Sequence, residues 1–135
     1  ESMYEYNQCR LYKGGKYDML HGQDETILPC LAMGGARGGI GGTTNYNGRE
    51  LVGIIDAWEK GDLELARERQ NFSQEVINVI CRYRGNIVGG KRIMKLIGLD
   101  LGKNRTPFQN MTEEEEIQMK AELEAINFFD RCNKL

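Results

Sequence analysis

Histidine, tryptophan and proline are nearly absent from this chain of 135 residues: there is one His, one Trp and two Pro. An excess of either charge is also missing, since 18 Lys and Arg stand against 20 Asp and Glu for a formal net charge of -2. Without a positive field, electrostatic binding of nucleic acid is a poor default. No apolar run approaches the ~20 residues that span a bilayer, which excludes a transmembrane helix and predicts a soluble protein. No charged stretch leads into an apolar one after Glu1, so no signal peptide is legible. The four cysteines (Cys9, Cys30, Cys81 and Cys132) are far apart and form no C-x-x-C pair. Each falls in an apolar helical pattern, where a free thiol serves as a small hydrophobe. Reduced thiols in a cytoplasmic protein are therefore expected. The lone histidine also argues against a metal site built from His21, Asp24 and Glu25. No metal and no cofactor are expected.

Glycine, in contrast, is plentiful at 17 residues, and it punctuates the pattern. Ser2 and Glu5 form an S-x-x-E capping box for a helix that runs to about Tyr12 and stops at Gly14-Gly15. Tyr17–His21 reads as a short buried strand. Asp24 is placed to cap a helix through Met33, with Pro29 near its first turn. Within Gly34–Gly42, the segment Gly38–Gly42 reads as a very short second strand. Helices follow without interruption. Asn47 and Glu50 start one that carries Leu51, Ile55 and Trp58 on one face and ends at Gly61. Asp62 opens another with a stripe of Leu65, Phe72, Val76, Val79 and Tyr83. A short helix spans Lys91–Ile97, and Thr112 with Glu115 caps the last. That last helix is expected to bury Ile117, Ala121, Phe128 and Cys132, with Met119, Leu123 and Ile126 beside them. Helix-separated strands argue for parallel pairing. Two parallel strands do not make a stable sheet, so the chain reads as part of a larger α/β unit.

Three groups of residues could carry chemistry. His21-Gly22-Gln23-Asp24-Glu25 follows the first strand, at the end where parallel α/β architectures place ligands. From the pattern alone, Asp24 as helix cap outweighs Asp24 as ligand contact. Gly38–Asn45 (GGIGGTTN) precedes a helix and could cradle an anion through backbone N–H groups. It is neither a Walker loop nor a dinucleotide fingerprint. The lysines fall in polar turns, at chain ends or, like Lys91 and Lys95, on a solvated helix face. None ends a strand, so no imine-forming lysine is legible. Arg82, Arg84 and Arg92 are read as compensating helix C-termini, and Glu113–Glu116 as favouring the start of the last helix.

The segment Gly22–Asn45, GQDETILPCLAMGGARGGIGGTTN, resembles the region of the last two barrel strands in the dihydrodipicolinate synthase and N-acetylneuraminate lyase superfamily. The resemblance continues through Trp58-Glu59-Lys60-Gly61-Asp62, Ala66-Arg67, Lys91–Leu99 and Arg105-Thr106-Pro107-Phe108, in order along the whole chain. It implies an α/β fold: the last two strands of a (β/α)8 TIM barrel in residues 1–61, then a C-terminal helical extension in residues 62–135. It also implies that the catalytic lysine and tyrosine lie upstream of Glu1, so that no catalytic residue is present in this chain.

The G-x-D-E motif resembles that of the lyases, which makes Gly22, Asp24 and Glu25 sugar-binding residues by implication. Where those lyases read I-G-S-T, this chain has Ile40-Gly41-Gly42-Thr43, leaving only backbone contact at Gly42. The implied activity of the complete protein is that of a class I (Schiff-base) pyruvate aldolase, a carbon–carbon lyase cleaving N-acetylneuraminate (sialic acid) to N-acetylmannosamine and pyruvate. This chain alone is expected to be inactive. The implied partners are the small-molecule substrate, the N-terminal remainder of the barrel and further copies in a homotetramer, with no nucleic acid and no membrane. Alternatives are another pyruvate-dependent sugar-acid aldolase, a dihydrodipicolinate synthase-like enzyme, and a non-catalytic sugar-binding or assembly module.

Overall fold

The computed structural model of the chain describes residues 2–34 and 36–134. Glu1, Gly35 and Leu135, which belong to the expected domain ranges and glycine run, lie outside the described residues. Helix α1 (Met3–Leu11) opens with the expected capping box: Ser2 Oγ accepts the Glu5 N–H at 3.2 Å, and the Glu5 carboxylate accepts the Ser2 N–H at 3.1 Å. Strand β1 (Met19–His21) pairs in parallel with β2 (Ala36–Gly39). Met19 lies opposite Ala36 and His21 opposite Gly39, so β2 carries one extra residue between the two pairings, a bulge. Both strands differ from their expected limits. The exposed Tyr17 lies outside β1. β2 begins before Gly38 and ends before Gly41-Gly42, which turn instead into the next helix through Thr44 N–H to Gly41 C=O at 3.3 Å.

A single 3₁₀ turn (Asp24–Thr26) leads into α2 (Ile27–Ala32). After β2 come α3 (Thr44–Glu59) and α4 (Leu63–Arg82), joined through Gly61 at φ +75°. α3 starts a turn earlier than the Asn47 signal predicts. Asn47 is instead fully buried inside the helix and donates to Ser73 Oγ of α4 at 3.1 Å. At the start of α4, Asp62 caps as expected, accepting the Leu65 N–H at 3.0 Å. Its apolar stripe is displaced there: Leu65 is exposed and Ala66 is fully buried, because only a small side chain fits where α4 meets α3.

Two apolar clusters hold the helices together, and each large side chain withdrawn from water contributes about 1.5–3 kcal/mol. The first joins Ile27, Leu28 and Leu31 of α2 to Leu51, Ile54 and Ala57 of α3 and Ala66 of α4. The second is built on Tyr46 of α3, on Phe72, Val76, Val79 and Ile80 along α4, and on Tyr83 just past its end. It also receives Val88 from a π turn (Asn86–Gly90), Ile93 from α5 (Lys91–Leu96), and Met119 and Leu123 from α6 (Glu113–Ala125). Phe128 of α7 (Phe128–Arg131) completes it.

The last helix is thus two helices. Asn127 adopts a left-handed conformation (φ +56°) between α6 and α7, so the stripe expected to run from Ile117 to Cys132 is broken. Ile117 and Ala121 face solvent, and Met119 and Leu123 point inward in their place. The arginines near helix ends reach across to α6: Arg82 pairs with Glu122 at 2.6 Å, Arg84 with Glu115 at 2.6 Å, and Arg92 with Glu116. The hydrogen bonds from Arg84 and from the Thr112 N–H hold the Glu115 carboxyl down at about 2. Burial and the hydrogen bond to Glu122 push the Tyr83 phenol up to about 12. All four thiols are free. Cys30 and Cys132 are buried as expected, whereas Cys9 and Cys81 are exposed and do not act as core residues.

The chain's last described residues return to the start of α3. The Asn133 carboxamide accepts the Arg49 N–H at 3.0 Å and donates to the Asn45 carbonyl at 3.1 Å. Those are two groups an unbroken helix would join directly. This bridge and the Asn133 N–H to Tyr46 carbonyl bond (2.8 Å) fix the first turns of α3, above the carboxyl ends of the strands.

Candidate functional site

β1 ends at His21, and the chain crosses the exposed Gly22 to reach Asp24, which is only 3% exposed. The backbone here is held from α4. Gln70 donates from Nε2 to the Asp24 carbonyl at 3.0 Å and accepts the Leu28 N–H at 2.9 Å, while Gln74 donates to the Glu25 carbonyl at 2.9 Å. Asp24 does not cap its own helix, contrary to the local pattern. Its Oδ2 accepts two hydrogen bonds from Thr43, from the N–H at 2.8 Å and from Oγ1 at 2.5 Å. Thr43 is the N-cap of α3, so the positive end of that helix favours the carboxylate's charge. The glycine-rich segment before α3 thus meets the chain's own Asp24, through the N–H and hydroxyl of Thr43. Gly41 makes this approach feasible, because a Cβ there would overlap the Asp24 carboxylate. The second oxygen, Oδ1, is buried and has no hydrogen-bond partner.

Next to this joint lies a second close approach. A Cβ at Gly42 would overlap the side-chain amide nitrogen of Asn86, the first residue of the π turn. Asn86 Oδ1 accepts the Tyr46 hydroxyl at 2.7 Å. Tyr46 is 1% exposed, and burial together with the nearby negative charge of Asp24 pushes its phenol upward. Asp24, Gly41, Gly42, Thr43, Tyr46 and Asn86 therefore form one contiguous group at the carboxyl ends of the two strands.

Of the four residues singled out from sequence, Asp24 and Gly42 are brought together here. Glu25 is next to them and half-buried, and Gly22 lies on the approach. Thr43, Tyr46 and Asn86 were not foreseen. The Gly41-Gly42 pair signals close approach, but nothing in the local pattern says what approaches. Two grooves flank the group. One of about 420 Å³ is lined by Tyr6, Met19, Leu20, His21, Gly22 and Gln23 among others. The other, about 430 Å³, includes Tyr46, Asn86, Gly90, Lys91, Met94 and Leu101.

His21 Nε2 lies 2.7 Å from Thr26 Oγ1, and its ring meets Tyr6 edge-on at 5.5 Å. Among the described residues no three His, Cys, Asp or Glu side chains gather around a point where a metal ion could sit. Every lysine is exposed except half-buried Lys91, whose Nζ donates to the Lys103 carbonyl at 2.9 Å. Imine formation needs a desolvated or cation-flanked amine. Among the described residues, no helix is long and apolar enough to cross a membrane.

Comparison with known proteins shows what the chain is similar to. The model of the dihydrodipicolinate synthetase family matches residues 1–126. N-acetylneuraminate lyase of Rattus norvegicus is 33% identical over 114 residues, which cover 84% of this chain and 35% of that protein. Among solved structures, Proteus mirabilis N-acetylneuraminate lyase superposes with a TM-score of 0.85 at 34% identity, covering 94% of this chain and 42% of that one. Dihydrodipicolinate synthase from Aquifex aeolicus superposes with a TM-score of 0.78 at 26% identity, covering 94% and 43%. The chain thus spans about a third of the length of the curated relatives it matches. With a family model over almost all its residues and the same helical arrangement around two parallel strands, the chain belongs to the dihydrodipicolinate synthetase family.

Proposed function

We propose that residues 1–61 supply the last two strands of a (β/α)8 barrel and residues 62–135 its C-terminal helical extension. The complete protein would be a cytoplasmic, homo-oligomeric Schiff-base aldolase that cleaves N-acetylneuraminate to N-acetylmannosamine and pyruvate. The observation that carries this reading is the buried Asp24 carboxylate. One of its oxygens holds Thr43 and the other has no partner, at the strand ends where parallel barrels keep their ligands. A buried acceptor without a donor is costly, and a sugar hydroxyl would satisfy it. Glu25 stands ready as a second acceptor, and Gly22 leaves the approach open. The imine-forming lysine is proposed to lie outside this chain, on the N-terminal remainder of the barrel. Retro-aldol cleavage would proceed from that imine, with Asp24 and Glu25 orienting the sugar.

One observation favours a second reading, an aldolase for a different sugar acid. Gly42 offers no hydroxyl, and an amide from Asn86 stands against it. A substrate panel on the complete protein separates the two. Release of pyruvate from N-acetylneuraminate at a higher kcat/KM than from other sugar acids is the expected result. Preference for another sugar acid selects the second reading, and turnover of aspartate semialdehyde alone overturns both.

A further inference from the structure

We propose that Asn86 is the specificity-determining residue of this site, its side-chain amide standing where the side chain of residue 42 would otherwise be. The inference rests on the aldolase reading and adds to it the residue that selects the sugar acid.

Three observations converge on it. First, the space is shared: a Cβ at Gly42 would overlap Asn86 Nδ2, and a Cβ at Gly90 would overlap Asn86 Oδ1. Two glycines, 48 residues apart in number but adjacent in space, form the notch that holds one carboxamide. Second, the amide is oriented. Its Oδ1 accepts the hydroxyl of the fully buried Tyr46, which turns the NH2 group toward Gly42. Third, the backbone that presents it is unusual. Asn86 opens a π turn, and single π turns favour functional sites. Gly89 lets that turn seat against α4, since a Cβ there would press on the Ile80 and Tyr83 carbonyls at 3.2 Å.

The chemistry follows from the orientation. A hydroxyl at position 42 could both donate and accept. The Asn86 amide turns its NH2 group toward Gly42 and so donates on this side, which selects a sugar acid that presents an accepting oxygen at this point. Asp24 Oδ1 and Glu25 can only accept when ionised, so the two sides of the site read opposite faces of the ligand's polar groups.

The test uses the complete protein with three variants, Asn86→Ala, Asn86→Asp and the double change Gly42→Ser with Asn86→Ala. Asn86→Ala is expected to raise KM for the preferred sugar acid about 10-fold, the loss of one hydrogen bond, with kcat and the KM for pyruvate in the reverse direction near wild type. Asn86→Asp keeps the shape but replaces the donor with an acceptor, and is expected to raise that KM further. The double variant is expected to change which sugar acid of the panel is preferred, whereas Gly42→Ser alone should lower the melting temperature through its clash with Asn86. An unchanged sugar KM in active Asn86→Asp protein would overturn the inference and leave the aldolase reading standing. Absence of sugar-acid cleavage in the wild-type protein would overturn both.

Discussion

Replacing Glu50 with alanine is expected to destabilise the chain by about 1.5–3 kcal/mol, the cost of losing hydrogen bonds to a charged group whose arginine partners keep partial contact with water. Glu50 lies on α3 with its side chain only 5% exposed. Arg131 of α7 grips it through Nη2 at 2.7 Å and Nε at 3.0 Å, and Arg69 of α4 adds Nη1 at 2.9 Å. The same Arg131 donates to Glu68 at 2.7 Å and lies over the Phe72 ring at 3.8 Å. One carboxylate therefore ties α3, α4 and α7 together. Gly53 leaves room for it, since a Cβ there would crowd the Arg69 guanidinium at 2.7 Å. Urea unfolding followed by circular dichroism checks the size of the effect, and a loss below about 1 kcal/mol would put this group with ordinary surface pairs.

The pH dependence has a definite sign. Burial works against ionising Glu50, but the hydrogen bond and charge of Arg131, with the charge of Arg69, outweigh it and hold the carboxyl below its usual 4.5. Its contribution is therefore fully present above pH 4.5 and is lost as pH falls through the lower folded-state value. Glu115, held at about 2, behaves in the same direction. Wild-type stability should decline below pH 4.5, and Glu50→Ala should decline less steeply.

The second large effect is expected at Asp24. Asp24→Ala leaves the Thr43 N–H and hydroxyl without their shared acceptor and should cost about 1.5–3 kcal/mol of stability. Asp24→Asn is the more informative change because it keeps the volume and one acceptor oxygen for Thr43. In the complete protein it is expected to raise KM for the sugar acid by about 10- to 100-fold, as for a lost hydrogen bond to a charged group. The KM for pyruvate should stay near wild type. Equal changes in both constants would mean that Asp24 only braces the strand ends and does not meet the sugar.

What was legible in the sequence and what was not divide along the range of the interactions. The Ser2–Glu5 and Thr112–Glu115 capping boxes and the Asp62 cap were readable because each is closed by residues three apart. The parallel pairing of two strands across a helix was readable from element order. The limits of β2 were not, because Gly41-Gly42 fit a strand or a turn equally well, and the contact that decides, Thr43 holding Asp24 through its N–H and hydroxyl, is not local. The break at Asn127 was hidden because a non-glycine residue takes the left-handed conformation there. At the candidate site the local pattern made Asp24 a cap for its own helix. Its partner is 19 residues away at the start of another, and Asn86 meets Gly42 across 44 residues. Spacing cannot reveal such contacts. The resemblance through Gly22–Asn45 pointed to the region, and only the folded chain shows which atoms meet.

Reductive trapping locates the lysine that forms the imine. Sodium borohydride is added to the complete protein in the presence of pyruvate, and the modified peptide is located by mass spectrometry. The expected result is a reduced pyruvate adduct on a lysine outside residues 1–135, and no adduct when residues 1–135 are treated alone. An adduct on any lysine of this chain, or sugar-acid cleavage by a protein that traps no pyruvate, would contradict it.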